Sequence, residues 1–325
     1  VLVVACPGQG AQSPGMLAPW LELPVVAESI GRASEVTGLD LVAHGTTSDA
    51  DTIRDTAVAQ PLLVASALAS LRAVLDLDAS ARLGAATGVD VAAGHSVGEL
   101  AAAAVAGVLS DDEALALVAV RGAAMARAAA AMPTGMAAVL GGDAAEVLAA
   151  LEQHRLVPAN VNGGGQVVAA GALDDLAAFA AAPPARARVV PLQVAGAFHT
   201  SYMQPAVAEL EAAATGIVPA DPDATLLTNS DGSVVTDGAR ALALVVAQVA
   251  NPVRWDLCCE TMLELGVTGL LEVAPGGVLT GLARRTLPGV ETVAVKTPAD
   301  LDAARDLVRR HAGTSSTESP QEQSS

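Results

Sequence analysis

The strongest chemical signal in the chain is Gly94-His95-Ser96-Val97-Gly98. A serine flanked by glycines, after an apolar run and before an Ala-rich stretch, suits a strained strand-to-helix turn that lifts its hydroxyl clear of a sheet edge. The helix opening near Gly98 would aim unpaired N–H groups and the positive end of its dipole at the same point, where an oxyanion could be held. The plainer reading is a serine in a tight turn; the strand–turn–helix setting favours a nucleophile. Such a hydroxyl needs a base to take its proton, and the candidates are His44, His95, His154, His199 and His311. His95 is expected to point elsewhere on the elbow, His44 and His154 to sit in polar turns, and His311 to end the last helix. His199, in VAGAFHTSYM after a strand and before a helix, has a placement that permits it to face Ser96. A lone histidine in such a segment is otherwise more often structural.

Two further groups could act with this pair. The loop Pro7-Gly8-Gln9-Gly10-Ala11-Gln12 follows an apolar run, and Gly8-x-Gly10 invites a dinucleotide reading. The third glycine of G-x-G-x-x-G is missing and no G-K-[ST] is present. The loop therefore reads as backbone N–H groups approaching a small ligand or an oxyanion. Arg121 lies within the apolar run ALALVAVRGAAMA. It is either an arginine on a solvent-facing stripe or a guanidinium offered to a carboxylate, whose two oxygens its planar fork matches.

Bringing these residues together requires alternating strands and helices. VLVVAC, broken by PGQGAQ, is expected to be a buried parallel strand entering a loop. A helix is expected over about Pro61–Leu77, then a short strand and an Ala-rich helix over 89–108. Asp111 and Asp112, favoured at helix starts, open a long helix to about Ala130. From Gly135 to Leu192 the pattern reads strand, helix, strand, strand, helix, strand, the split βαββαβ order of a ferredoxin-like unit. TLLTNSD, ARALALVVAQVANP and LLEVAPGG then resume the strand and helix alternation.

Composition narrows the function. With 325 residues, 35 acidic and 17 basic side chains and a net charge of −18, the chain is a poor partner for nucleic acid. The 52 % hydrophobic fraction supplies a large core. Trp20, Phe179, Phe198, Tyr202 and Trp255 are the only aromatics, so Ala, Val and Leu must fill it. Cys6, Cys258 and Cys259 make neither a disulfide framework nor a zinc site, and no metal is expected. The short N-terminal apolar run is not expected to be a signal peptide, and no stretch is expected to approach the ~18 apolar residues of a membrane span. A soluble, cytoplasmic protein is expected, with no membrane partner.

Taken in order, PGQGAQSPGM (7–16), AQPLL (59–63), GHSVGELAAA (94–103), RGAAMA (121–126), NVNGGGQVVAAG (160–171), AGAFHTSYM (195–203), QVANPVRW (248–255) and EVAPGGVLTGLARR (272–285) identify a family. The chain resembles malonyl-CoA:acyl-carrier-protein transacylases and, more broadly, the acyltransferase domains of fatty-acid and polyketide synthases. The likeness covers nearly everything but the tail. It implies an α/β fold, with an α/β-hydrolase-like core around a parallel sheet and an inserted small ferredoxin-like (βαββαβ) subdomain. The core would span 1–130 and 194–313, the insert 131–193, and a disordered polar tail 314–325.

Carried over residue by residue, the resemblance implies Ser96 as nucleophile and His199 as its base. The backbone N–H groups of Gln9 and Val97 would hold the oxyanion, and Gln248 would orient His199 through its main-chain carbonyl, in place of a triad Asp. Arg121 would grip the free carboxylate of malonate, while Gln60, Met125, Asn160, Asn162 and Gln166 line the acyl pocket. The family's Asn-Ser-Pro-Gly-Gln reads Asn162-Gly163-Gly164-Gly165-Gln166 here, which should loosen that loop. Phe198, in the malonyl-preferring triplet Ala197-Phe198-His199, would crowd a methylmalonyl branch. The partners implied are malonyl-CoA and acyl carrier protein, with no cofactor and a monomeric enzyme. Because both partners are anionic, a local basic patch is expected at the cleft, drawn from Arg284, Arg285, Arg186 and Arg188. A serine thioesterase or esterase, and a catalytically idle docking module of a synthase, are the rival readings.

Overall fold

Leu2–Cys6 carries no charged side chain and is buried along its whole length, as a strand covered on both faces must be. The computed structural model describes residues 1–313; the expected tail over 314–325 lies outside the described residues. The strands are β1 (Leu2–Cys6), β2 (Val91–Gly94), β3 (Thr134–Gly141), β4 (Val157–Gly163), β5 (Gln166–Ala172), β6 (Ala187–Pro191), β7 (Thr225–Leu227), β8 (Val234–Val235), β9 (Val253–Arg254), β10 (Gly269–Glu272) and β11 (Glu291–Ala294). The helices are α1 (Pro24–Thr37), α2 (Leu41–Thr46), α3 (Thr56–Leu75), α4 (Gly98–Val105), α5 (Asp111–Ala130), α6 (Ala144–Gln153), α7 (Leu173–Ala181), α8 (Gln204–Ala214), α9 (Gly238–Ala247), α10 (Trp255–Glu264), α11 (Val278–Thr286) and α12 (Leu301–His311).

β1 sits inside a six-stranded sheet of order β11-β10-β1-β2-β7-β8, parallel except for the short β8 at its edge. The registers Cys6↔Gly94 and Ala5↔Glu272 bring the carboxyl ends of β1, β2 and β10 to one side. Open α/β sheets carry their sites beyond those ends. Leu, Val and Ala side chains fill both faces, as the scarcity of rings requires.

α3 begins earlier than the expected 61–77 helix because Asp55 caps it, accepting a hydrogen bond from the Ala57 N–H; Pro61 then falls inside the helix. The helix also overturns the expectation that no stretch approaches a membrane span. It has 20 residues, and an 18-residue stretch of it with a mean hydropathy of 1.6 is long and apolar enough to cross a bilayer, but 89 % of that stretch is buried inside the protein. α3 is a core helix packed on α1 and α5. At the start of α5 the cap is Ser110 rather than Asp111: Ser110 and Glu113 form a reciprocal capping box, and Asp111 and Asp112 fill the first turn.

The second sheet has the order β6-β3-β5-β4-β9. Its first four strands are antiparallel neighbours, with α6 and α7 between them in sequence, the arrangement expected from the βαββαβ pattern. β9, from much later in the chain, adds parallel to β4 with Asn160 opposite Val253. Phe179, Leu151, Leu176, Val139 and Ala169 form the small core beneath this sheet. Phe179 is fully buried there. Phe179→Ala should therefore lower unfolding stability by about 3–5 kcal/mol. Urea unfolding measures this, and an unchanged midpoint would contradict the packing described.

Candidate active site

The segment after β2 is set by close approach. A Cβ on Gly94 would run into the backbone of Gly98 and Glu99, and one on Gly98 would strike the carbonyl oxygen of Cys6. Only glycines let the end of β1, the end of β2 and the start of α4 meet. Between them Ser96 takes φ +55°, a left-handed conformation that costs a non-glycine residue about 1–3 kcal/mol. Asn229 holds the turn in place. Its side-chain oxygen accepts from the Ser96 N–H at 2.7 Å, and its side-chain nitrogen donates to the Gly94 carbonyl at 2.7 Å. The Asn229 N–H in turn donates to Glu99 at 2.7 Å. Burial pushes the Glu99 carboxyl up to about 8, so it is mostly neutral at pH 7.

Asn229 and Glu99 were not singled out as site residues from the sequence. The available signals are an acidic residue directly after the serine motif in an otherwise apolar helix, and an asparagine at the carboxyl end of β7.

His199 also has positive φ, +61°. The Thr200 hydroxyl donates to the Ala197 carbonyl, and the Ala197 N–H donates to the Thr134 hydroxyl, which fixes this corner against β3. The His199 Nε2 lies 2.8 Å from the Ser96 Oγ. Its Nδ1 lies 3.2 Å from the main-chain oxygen of Gln248. His199 is only 3 % exposed. Burial, and then the nearby charge of Arg121, hold its pKa down to about 3, so the imidazole is neutral at pH 7.

Arg121 is 1 % exposed, which rules out the solvent-stripe alternative. Its guanidinium donates to the Gln60 side-chain oxygen at 2.7 Å and to the Gln248 side-chain oxygen at 2.9 Å, with Ser96 Oγ 3.5 Å away. Burial lowers its pKa to about 10, which leaves it charged at pH 7. The partners are all neutral, so a cation is held beside the Ser96 hydroxyl without a hydrogen-bonded anion.

A cavity of about 440 Å³ opens over Ser96 and His199. Gln9, Gln60, Met125, Asn160, Asn162, Gln166, Phe198 and Arg285 all line it. A Cβ on Gly8 would lie 2.7 Å from the His95 carbonyl oxygen, which places the Gln9 loop against the elbow. Val97, just before α4, contributes one of the N–H groups that have no acceptor within a helix. Gly163, Gly164 and Gly165 take φ of +74°, +55° and +77° in the β4–β5 turn, a run of left-handed residues that glycine adopts without strain. Asn162 accepts from the His95 Nε2 at 2.9 Å, so His95 is indeed turned from Ser96.

The other expected residues lie elsewhere. Arg284, Arg186 and Arg188 are exposed and do not line the cavity; of the four arginines suggested for the cleft, Arg285 alone reaches it. His44 stands on helix α2 rather than in a turn and contacts Ser48, because Asp40 caps a helix there. His154 caps the end of α6, edge-on to Phe179. His311 ends α12, against Glu291. Among the described residues, no group of three or more His, Cys, Asp or Glu could hold a metal ion. The arrangement is suited to acyl transfer through a seryl ester, for an acyl group bearing a negative charge.

Residues 3–308 match the model of a family described as "Acyl transferase domain". A protein from Mycobacterium tuberculosis named malonyl CoA-acyl carrier protein transacylase is 53 % identical over 308 residues, 94 % of this chain and 100 % of that one. The crystal structure of MCAT from Mycobacterium tuberculosis is similar with a TM-score of 0.87 and 52 % identity, over 94 % of this chain and 99 % of that one. A malonyl-transacylase solved in complex with its type II PKS acyl-carrier protein has a TM-score of 0.84 and 32 % identity, over 94 % of this chain and 99 % of that one.

The buried imidazole makes a prediction about pH. His199 has a folded pKa below its ordinary value of 6.5, so unfolding takes up a proton at acid pH. Its contribution to stability is complete above about pH 6.5 and is lost as pH falls from there toward 3. Thermal melts of the wild type and His199→Ala across that range should converge as pH falls. Parallel curves would show an imidazole that protonates normally in the folded protein.

Proposed function

The chain belongs to the acyl transferase domain family, and on that footing we propose that it moves malonyl groups from coenzyme A to the phosphopantetheine thiol of an acyl carrier protein, in fatty-acid synthesis. The observation that carries the choice of acyl group is Arg121, a buried cation whose hydrogen-bond partners are all neutral: two amide oxygens and, at 3.5 Å, the serine hydroxyl. A neutral acyl chain would leave that guanidinium without its anion. The loss is worth about 1–3 kcal/mol or more in selectivity.

Transfer proceeds in two halves. Ser96 Oγ attacks the thioester carbonyl while His199 Nε2 takes its proton. The N–H groups of Gln9 and Val97 hold the resulting oxyanion. As the tetrahedral adduct collapses, the carbon–sulfur bond breaks and His199 returns the proton to the departing coenzyme A thiolate. A malonyl ester remains on Ser96. The carrier protein's thiol then attacks that ester, His199 accepts the thiol proton, and the Ser96 oxygen leaves with it. The chemistry calls for no cofactor beyond the thioester substrate. Gln60, Met125, Asn160, Asn162 and Gln166 shape the acyl pocket, and Phe198 narrows it against a branched malonyl group.

The core of 1–130 and 194–313 would carry the catalytic pair, with the 131–193 unit as the other wall of the cleft. Arg285 at the cavity supports carrier-protein docking on that side, with Arg284, Arg186 and Arg188 as outlying charges. A cytoplasmic monomer completes the proposal.

Intact-mass measurement after mixing with malonyl-CoA should show one malonyl adduct on the wild type and none on Ser96→Ala. An equal adduct on both would remove Ser96 from its role. Free malonate released as fast without carrier protein as with it would instead indicate a hydrolase. Arg121→Ala should load malonyl more slowly and acetyl relatively better, and unchanged selectivity between the two thioesters would count against the carboxylate clamp.

A further inference from the structure

One nitrogen of the proposed base faces two partners that it cannot satisfy together. His199 Nδ1 lies 3.2 Å from the main-chain oxygen of Gln248 and 2.9 Å from the side-chain nitrogen of the same residue. The oxygen accepts, and so requires a proton on Nδ1. The amide nitrogen donates, and so requires a bare lone pair there.

Arg121 decides which way the amide points. A guanidinium has donors and no acceptor, and its Nη2 stands 2.9 Å from the Gln248 side-chain oxygen. Turning the amide over would set donor against donor between side chains that are only 1 % and 4 % exposed, for Arg121 and Gln248, where water cannot make good the loss. The guanidinium thus pins the amide, and the amide aims an N–H at His199 Nδ1. A neutral ring that accepts at Nδ1 carries its proton on Nε2, and there it donates to the Ser96 Oγ at 2.8 Å. In that tautomer the imidazole cannot take the serine proton.

We propose that the Gln248 side chain is a latch that keeps His199 in the non-basic tautomer until the carboxylate of an arriving acyl group occupies Arg121. The carboxylate oxygens displace the Gln60 and Gln248 amide oxygens from the guanidinium. Freed from Arg121, the Gln248 amide can turn toward the Asn251 carbonyl, 3.5 Å from its nitrogen. His199 then holds its proton on Nδ1, donated to the Gln248 main-chain carbonyl. One proton leaves Nε2 and one arrives at Nδ1 by exchange with water, so the ring stays neutral and the proton count does not change. A surface depression of about 240 Å³ is lined by Gln248, Asn251 and Arg254, so once the amide has turned, the exchange needs water to pass only the Gln248 side chain. Nε2, now bare, takes the Ser96 proton as the oxygen–carbon bond forms.

An acetyl group brings no carboxylate and leaves the latch closed. Discrimination then acts on the chemical step as well as on binding. For its ligand the latch rests on the malonyl-transfer reading; the resting tautomer does not depend on it.

Nitrogen-15 NMR of histidine-labelled protein reads the tautomer directly. The resting wild type should show His199 protonated at Nε2, the malonyl-loaded enzyme should show it protonated at Nδ1, and the acetyl-loaded enzyme should keep the resting pattern. Gln248→Met retains the main-chain carbonyl and removes the amide. It should rest with the proton on Nδ1 and load acetyl groups about tenfold faster relative to malonyl than the wild type does. A resting wild type protonated at Nδ1, or malonyl- and acetyl-loaded enzymes with the same tautomer, overturns the latch. The wild-type spectra decide the matter even if Gln248→Met does not fold. Absence of any malonyl adduct in the mass spectrum would overturn the transfer reading instead, and the resting spectrum would still test the latch.

Discussion

A positive charge on Arg121, enclosed by the protein and hydrogen-bonded chiefly to the amide oxygens of Gln60 and Gln248, is the constraint around which the site is arranged. Taking a guanidinium out of water is expensive unless hydrogen bonds and an opposite charge replace what water supplied. The amides supply the hydrogen bonds and leave the charge uncancelled. Burial keeps His199 neutral, and the cation's field, which disfavours a second positive charge beside it, adds to that effect. Glu99, the nearby carboxyl, is itself buried and mostly protonated. The internal acid therefore cancels the guanidinium's charge only in part, and an anion from outside would complete the cancellation.

The Ser96 turn depends on a second constraint, which is steric. Gly94 and Gly98 allow three backbone segments to touch, and the chain between them has no relaxed way to turn. Asn229 offsets the strain at Ser96 by bonding to both ends of the turn, and Glu99 fixes Asn229 from the first turn of α4. The parallel registers of β1, β2 and β7 bring these pieces to one edge of the sheet. A rigid scaffold positions the hydroxyl, and the residues that rearrange are confined to the side chains around Arg121.

Much of this was legible in the sequence because it depends on local pattern. The strand–turn–helix around Ser96 and the βαββαβ alternation are periodic signals within short windows, and both appear in the structure. α3 begins ahead of the expected Pro61 because Asp55 supplies a cap six residues before it, a signal that lies outside the apolar run. The apolar length of α3 was underrated because its serines, Gln60 and Arg72 interrupt the run without making it polar on average. Asn229 and Glu99 could not be read as a pair, since 130 residues separate them and the sheet alone brings them together. The arginines Arg186, Arg188, Arg284 and Arg285 were grouped by charge, but charge does not say which one faces the cavity. Neither does residue type reveal that both functional groups of Gln248 converge on one imidazole nitrogen.

The pairing of β9 with β4 bears on how this architecture can be recombined. Residues 253–254 close the edge of a sheet whose other strands all lie between 134 and 191. A graft that exchanged only the continuous segment would leave Asn160 and Val161 facing a foreign edge strand, beside the cavity that Asn160 and Asn162 line. Chimeras between relatives thus have a natural unit made of two pieces of chain, and the smaller piece leads directly into α10, whose first residue, Trp255, packs edge-on against His95.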